Sequence, residues 1–261
     1  MAPNGMVASP HALASAAGVD ALRAGGSAVD AAIATGAALA VLYPHMTSVG
    51  GDAFWLIYDA RARGVRYLNG GGRAARRGNI DWFSSRGMSE IPLRGFLPAT
   101  LSVPGGVASW CAAHEEYGRL PLARDLAAAI GYAREGFPVT GRLARAIELH
   151  TADKALNAQA LAIFAPGGVA PRAGAKLVNP GLALVLERIA AAGHEGFYAG
   201  ETARALAHFS RAGGGFFDEE DFAAQRAGWG EPISGTYRGV EILETPPPTQ
   251  GFTVLEMLNL I

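Results

Sequence analysis

An arginine beside consecutive glycines is the part of this sequence best suited to binding a substrate. Three glycines follow a predicted β-strand, and Arg73 comes directly after them. A guanidinium group pairs with a carboxylate through two parallel hydrogen bonds, and glycine lets a small ligand approach the backbone. We therefore predict that Gly71, Gly72 and Arg73 bind a small carboxylate. The alternative interpretation is a solvated loop, which we favour for Arg76 and Arg77.

Two further glycine pairs stand where predicted elements meet. Gly50 and Gly51 lie between a helix and a strand, where they could adopt positive φ or let another backbone come close. Gly105 and Gly106 open a helix, whose first N–H groups could bind a carboxylate or an oxyanion. Close packing of the helix start is the alternative that we favour there. We expect all four glycines to line a pocket or to hold its structure.

Other site chemistries do not match the sequence. The six histidines are scattered, and His114-Glu115-Glu116 lacks the second histidine of a zinc-protease motif, which indicates a solvated helix face. Gly-x-Ser-x-Gly and the phosphate-binding Gly-x-x-x-x-Gly-Lys are absent. The Gly-rich stretch fits a dinucleotide fingerprint, but a poor helix former follows it. The single cysteine, Cys111, is predicted to be a buried structural thiol. We expect no metal and no cofactor.

Composition predicts a globular chain with a small-molecule partner. Half of the 261 residues are hydrophobic and the net charge is −1, so nothing favours nucleic acid or an anionic membrane as a partner. The most apolar run, Ala31 to Tyr43, is too short for a membrane span of about 20 residues. The first ten residues lack the pattern of a secretory signal, which predicts a cytoplasmic protein.

Apolar spacing and capping residues predict a mixed α/β chain without an internal linker, which we treat as one domain over residues 1–261. Helices are predicted over 9–23, 27–42, 105–117, 121–135, 140–150, 180–192, 201–211, 219–225 and 249–261. Strands are predicted over 53–59, 65–69, 233–237 and 240–244. The segments 70–86 and 157–176 are predicted to lack regular secondary structure. Ser9, Ser27, Thr140 and Asp218 are the predicted N-caps.

The last helix predicts a continuing polypeptide. It is rich in apolar residues up to Ile261 and has neither a C-cap nor a polar tail, whereas a natural terminus is usually polar and exposed. A short helix docked on the core is the alternative interpretation.

Several short segments, in this order and at this spacing, resemble the gamma-glutamyltranspeptidase family. The resemblance covers nearly the whole chain, and its segments are specific when taken together. They are Gly25–Ala32, Tyr43–Asp59, Ser102–Ala108, Ala133–Val139, Phe197–Gly200, Tyr237–Gly239 and Pro246–Gly251.

The resemblance implies an N-terminal-nucleophile hydrolase, an αββα sandwich in which a precursor cuts itself before a threonine. That threonine then attacks an amide, and its own amine serves as the base. This chain resembles most of the large subunit, which precedes the cut. We therefore expect the nucleophile beyond Ile261, on a small-subunit partner, and no catalytic residue in this chain.

One departure from the family pattern affects the substrate. In the transpeptidases proper an arginine after this hairpin binds the substrate carboxylate, and it aligns with Gly71 here, two residues before Arg73. The Asn-Gly-Gly-Gly-Arg-Ala form looks more like the amidohydrolases of the family. We therefore expect hydrolysis of a small, carboxylate-bearing, oxamate-like amide. A gamma-glutamyltransferase or glutathione hydrolase is one alternative, and a truncated, non-catalytic binding or partner subunit is another.

Overall fold

The structure, a computed structural model, describes residues 2–91 and 101–261. The chain divides into two compact units. The first unit contains Met1–Val49 and His114–Phe197, and the second contains Gly50–Ala113 and Tyr198–Ile261.

Helices make up most of the regular structure in the described ranges. They are α1 Ala12–Arg23, α2 Ala28–Leu42, α3 Ile80–Ser84, α4 Gly106–Tyr117, α5 Leu122–Glu135, α6 Gly141–Ala152, α7 Ala158–Phe164, α8 Pro180–Ala192, α9 Glu195–Tyr198, α10 Gly200–Ala212, α11 Glu219–Ala223 and α12 Gly251–Leu260. A 3₁₀ turn covers Pro166–Gly168. None of these helices has the length and the apolar character needed to cross a membrane.

The strands form three small antiparallel sheets within the same ranges. They are β1 Ala53–Asp59, β2 Gly64–Gly70, β3 Phe137–Pro138, β4 Lys176–Leu177, β5 Gly228–Gly230, β6 Ile233–Tyr237 and β7 Val240–Glu244. The orders are β1-β2-β5, β3-β4 and β6-β7.

In the first unit, α2 lies at the centre of the helical packing. It contacts α1 and α5, and α5 contacts α8. The helix is apolar nearly all round, which is typical of a helix buried on most of its surface. At the contact with α1 a Cβ on Gly18 would lie 2.9 Å from the carbonyl oxygen of Ala31. The alanine-rich sequence therefore allows close helix packing.

Side chains that accept backbone N–H groups define where most helices begin. The Ser27 side chain accepts hydrogen bonds from the backbone N–H groups of Val29 and Asp30, and the Asp30 carboxylate accepts the backbone N–H of Ser27, which completes a capping box. The prediction of Ser9 as the first N-cap was wrong. His11 is the N-cap of α1, and its Nδ1 accepts from the backbone N–H of Leu13 at 3.2 Å.

The second unit contains the predicted hairpin in the predicted place. Ala53 pairs with Gly70 and Asp59 pairs with Gly64, so β2 is one residue longer at each end than expected. The hairpin β6-β7 has the predicted bounds. Its turn places Arg238 and Gly239 at φ +50° and +80°, which matches the twist of a two-residue hairpin.

Six of the labelled elements were not predicted. They are the helices α3, α7 and α9 and the strands β3, β4 and β5. Asn79 and Asn157 cap α3 and α7, each accepting a backbone N–H three residues on. The strands have only two or three residues, so their period cannot be read from the sequence.

Candidate functional site

The glycine-rich end of β2 is built by backbone packing. A Cβ on Gly70 would lie 2.5 Å from the carbonyl oxygen of Ala53 and 2.5 Å from the Cβ of Ser109. A Cβ on Gly72 would overlap the carbonyl oxygen of Val103, and one on Gly105 would lie 2.6 Å from the carbonyl carbon of Gly71. These are closer than real Cβ contacts, so only glycine fits at these positions.

Side chains from distant parts of the second unit fix the segment after β2. The Asp52 carboxylate accepts the backbone N–H of Gly72 at 2.8 Å. The Gln225 amide accepts the N–H of Arg73 at 3.1 Å and donates to the carbonyl oxygen of Gly71 at 3.2 Å. The backbone of Val103 donates to the carbonyl oxygen of Arg73 at 2.9 Å. These bonds hold the loop in one backbone conformation.

Arg73 extends from this fixed backbone as an exposed side chain. In the part of the chain that the structure describes, no ion pair to its guanidinium group is found. A rigid backbone and an uncommitted guanidinium are the combination that a carboxylate clamp requires.

The other two arginines of this segment differ from Arg73. Arg76 contacts three acidic residues of α11 and its N-cap, with 3.1 Å to Asp218 and 3.6 Å to Asp221, and it also pairs with Glu220. Its backbone N–H donates to Asp221 at 3.0 Å, so Arg76 ties the loop to α11. The carboxylates, Asp218 first, raise the pKa of Arg76. Arg77 is exposed.

Backbone hydrogen bonds join Gly51 to Gly105 and Gly106. The N–H groups of Gly105 and Gly106 both donate to the carbonyl oxygen of Gly51, at 3.2 and 2.8 Å. The start of α4 therefore packs on the Gly-Gly turn, and these two N–H groups already have an acceptor. Neither Gly50 nor Gly51 adopts positive φ, and a Cβ on Gly106 would lie 3.0 Å from the carbonyl oxygen of Gly51.

Two buried hydroxyl groups support the same region. Tyr198 Oη donates to the carbonyl oxygen of Pro104 at 2.7 Å and accepts the N–H of Ala108 at 3.0 Å. Burial is the main cause of the raised pKa of Tyr198. Ser109 Oγ donates to Gly106 at 2.7 Å and accepts from Trp55 Nε1 at 2.9 Å, which joins α4 to β1.

Sequence reasoning missed Gln225 and Asp52 as supports of this loop. Asp52 stands beside Gly51 in a segment that carries the family resemblance, so a signal for it existed. Gln225 is fully buried and lies 152 residues after Arg73, and nothing local distinguishes it from a surface glutamine.

Two predicted environments need correction. His114 is not on a solvated face. Its side chain is only 23% exposed, and its Nε2 lies 2.7 Å from the carbonyl oxygen of Leu120, whereas Glu115 and Glu116 are exposed. Cys111 is only half-buried on α4, so it is not the fully buried thiol that its apolar surroundings predicted.

The fold is that of the N-terminal-nucleophile hydrolases. Superposition on gamma-glutamyltranspeptidase from Helicobacter pylori gives a TM-score of 0.92 at 30% sequence identity and covers 100% of this chain and 75% of that one. The class predicted from the sequence is therefore confirmed.

Sequence comparison identifies the family. The sequence model of gamma-glutamyltranspeptidase matches residues 14–261. The chain is 42% identical over 256 residues to the "Glutathione hydrolase-like YwrD proenzyme" of Bacillus subtilis, which covers 98% of this chain and 48% of that protein. It is 36% identical over 262 residues to the "Oxamate amidohydrolase proenzyme" of Klebsiella pneumoniae, with 98% and 49% covered. The chain belongs to the gamma-glutamyltranspeptidase family, and it spans about half the length of these curated relatives.

Proposed function

We propose that this chain is the large-subunit part of a self-processing amidohydrolase that cleaves a small amide bearing a carboxylate. The family membership and the proenzyme names of the relatives support the reaction class. In this proposal the relatives' additional length corresponds to a second polypeptide that begins with the nucleophilic threonine.

The observation that carries the substrate class is the fixed loop that presents Arg73. Asp52, Gln225 and Val103 hold its backbone, and the guanidinium is exposed with no ion pair to a described residue. In the proposal this group binds the substrate carboxylate, while the glycine backbone at 71–72 admits the ligand at close range. The reacting amide then lies within reach of a nucleophile that the second polypeptide supplies.

An oxamate-like substrate is the specific form of this proposal. Oxamate carries a carboxylate directly beside its amide, so one arginine can orient the whole molecule. The likeness to an oxamate amidohydrolase supports this choice.

Gamma-glutamyl hydrolysis or transfer is the second candidate, favoured by the higher identity to a glutathione hydrolase-like proenzyme. Assays of the complete, processed enzyme on oxamate and on a gamma-glutamyl anilide separate the two. Turnover of oxamate with little anilide cleavage is the expected result, and activity on the anilide alone would overturn the oxamate-like proposal. A processed enzyme inactive on both, and on a panel of small amides, would overturn the proposed reaction class.

A further inference from the structure

A cavity in the first unit has the composition of a small-molecule site. It has a volume of about 350 Å³, and its walls are mainly apolar. Leu143, Ile147 and His150 line it from one face of α6, at spacings of four and three residues. Leu156 and Phe164 form another wall, and His45 enters from the segment after α2. Binding sites are typically apolar cavities of about 300–1,000 Å³ with a few placed polar groups.

His45 is the polar group that this cavity leaves unsatisfied. Both of its ring nitrogens are buried, and neither has a hydrogen-bond partner in the described chain. A neutral imidazole carries one N–H donor and one acceptor nitrogen, whichever tautomer forms. Burying such groups unpaired is unfavourable, so a ligand that supplies an acceptor gains from the contact.

The surroundings of His45 favour a negatively charged acceptor. The Tyr43 ring packs on His45 with centroids 4.2 Å apart, and Arg142 donates to the Tyr43 hydroxyl at 2.8 Å. Burial, and after it the charges of Arg142 and His150, lower the pKa of His45, which favours the neutral ring. No acidic side chain is among the described residues that line the cavity.

We propose that this cavity binds a small molecule with an apolar, ring-sized body and one carboxylate, which accepts the His45 N–H near Arg142. The apolar body would occupy the space between α6 and Phe164. All of the lining residues belong to the first unit, whereas the Arg73 loop belongs to the second. The inference is therefore independent of the proposed amidohydrolase activity.

Phenylacetate is the probe for this site, with 2-phenylethanol and acetate as matched compounds that lack its charge or its ring. Titration calorimetry on the complete protein should give a dissociation constant in the millimolar range or below for phenylacetate. Binding of the other two should be at least tenfold weaker. Equal affinity for 2-phenylethanol, or no binding of phenylacetate, would overturn the proposal.

Variants test the position of the site. His45→Phe removes both polar nitrogens and should weaken phenylacetate binding at least tenfold. His208→Phe, at an exposed histidine of α10, is the control and should leave the affinity unchanged. Ala155→Trp adds bulk at an exposed residue of the cavity lining and should block binding without disturbing the core. Unchanged affinity in His45→Phe or in Ala155→Trp contradicts the assignment.

An NMR titration of His45 supplies a readout that is independent of affinity. A bound carboxylate favours the protonated imidazole, so phenylacetate should raise the pKa of His45, whereas acetate at the same concentration should not. An unchanged pKa of His45 at saturating phenylacetate would overturn the proposed contact.

Discussion

Single residues determine the substrate hypothesis, and Arg73 is the first of them. If its guanidinium binds the substrate carboxylate, Arg73→Ala should raise KM for oxamate about tenfold or more, because a paired charge is lost. Arg73→Lys should recover only part of the affinity, since an ammonium group cannot form the bidentate pair. Steady-state kinetics of the processed enzyme measures both effects. Arg77→Ala is the matched control and should leave KM unchanged. An unchanged KM in Arg73→Ala as well would show that Arg73 belongs to a solvated loop and does not bind the substrate.

Asp125, a buried acid in the first unit, is a second single residue with a testable effect. The Asp125 side chain is fully buried, and Asp30 and His114 are its polar neighbours among the described residues. His114 Nε2 lies 3.8 Å from Asp125 Oδ2. Burial, and after it the nearby charge of Asp30, raise the pKa of Asp125 to about 8. Burial alone would raise the pKa of Asp30 too, but N–H groups of Ser27 and Arg119 lower it overall.

The raised pKa of Asp125 makes the free energy of unfolding decrease as the pH rises. The folded state keeps a proton that the unfolded state loses above a pKa of 3.8. The free energy of unfolding should therefore fall as pH rises from 3.8 to about 8 and level off above that value. Asp125→Asn should remove this decline and add on the order of 1–3 kcal/mol at pH 8.

Urea unfolding of the complete protein at pH 5, 7 and 9 measures this dependence. The exposed Glu115→Gln is the matched control and should keep the wild-type decline. The same decline in Asp125→Asn would show that Asp125 ionises in the folded state at ordinary pH.

Elements meet at the glycine-rich end of β2, where packing leaves no space for a side chain. Gly72→Ala should lower the free energy of unfolding by about 1–3 kcal/mol, because its Cβ would overlap the carbonyl oxygen of Val103. It should also raise KM, since the strain displaces Arg73. The matched control is Gly64→Ala, whose Cβ would meet nothing within 4 Å at the other end of the same strand. Thermal unfolding that is equal in the two variants would contradict the packing argument.

Gln225 connects the region after α11 to the loop after β2. Gln225→Leu removes the acceptor for Arg73 N–H and the donor to the Gly71 carbonyl, which leaves two partly buried backbone groups unpaired. We expect a loss of about 1–3 kcal/mol in the free energy of unfolding, together with a higher KM. Gln159→Leu, on the exposed surface of α7, should change neither quantity. If Gln225→Leu changed stability but not KM, the loop would not depend on this bridge for its function.

At the scale of the whole molecule, one face of β1 lacks a cover within the described chain. Phe54, Leu56 and Tyr58 are 36, 41 and 64% exposed and alternate with half-buried neighbours. β1 is also an edge strand of its sheet. An exposed apolar row on an edge strand is typical of an interaction surface. The row supports the proposal that a second polypeptide completes the active enzyme.

Charge on this row should weaken that assembly. Leu56→Lys combined with Tyr58→Lys should reduce co-purification of the two polypeptides, because unpaired charges would be buried at their contact. Val169→Lys, at a residue that is 72% exposed in the first unit, is the control. Gel filtration and activity report assembly, and a fully assembled, fully active double variant would place the partner elsewhere.

Local signals explain which elements could be predicted. The Ser27–Asp30 capping box, the alternation in β1 and the turn at Arg238–Gly239 each lie within a few residues, so their patterns are visible in the chain. The strand β5 has three residues and exists because Gly228–Gly230 pairs with β2, about 160 positions earlier. Such a short strand has no sequence pattern of its own, and only its pairing with β2 defines it.

The family, the fold class and most helices follow from the amino-acid sequence, because caps, turns and ordered motifs are properties of neighbouring residues. The position of Arg73 directly after the glycines singled it out in the sequence, but the ion pairs of the two arginines depend on the fold. Arg76 lies against the acidic residues of α11, whereas Arg73 forms no ion pair with a described residue. The tertiary structure also decided that the N–H groups of Gly105 and Gly106 bind Gly51. Contacts between residues far apart in sequence depend on packing, and no local pattern encodes them.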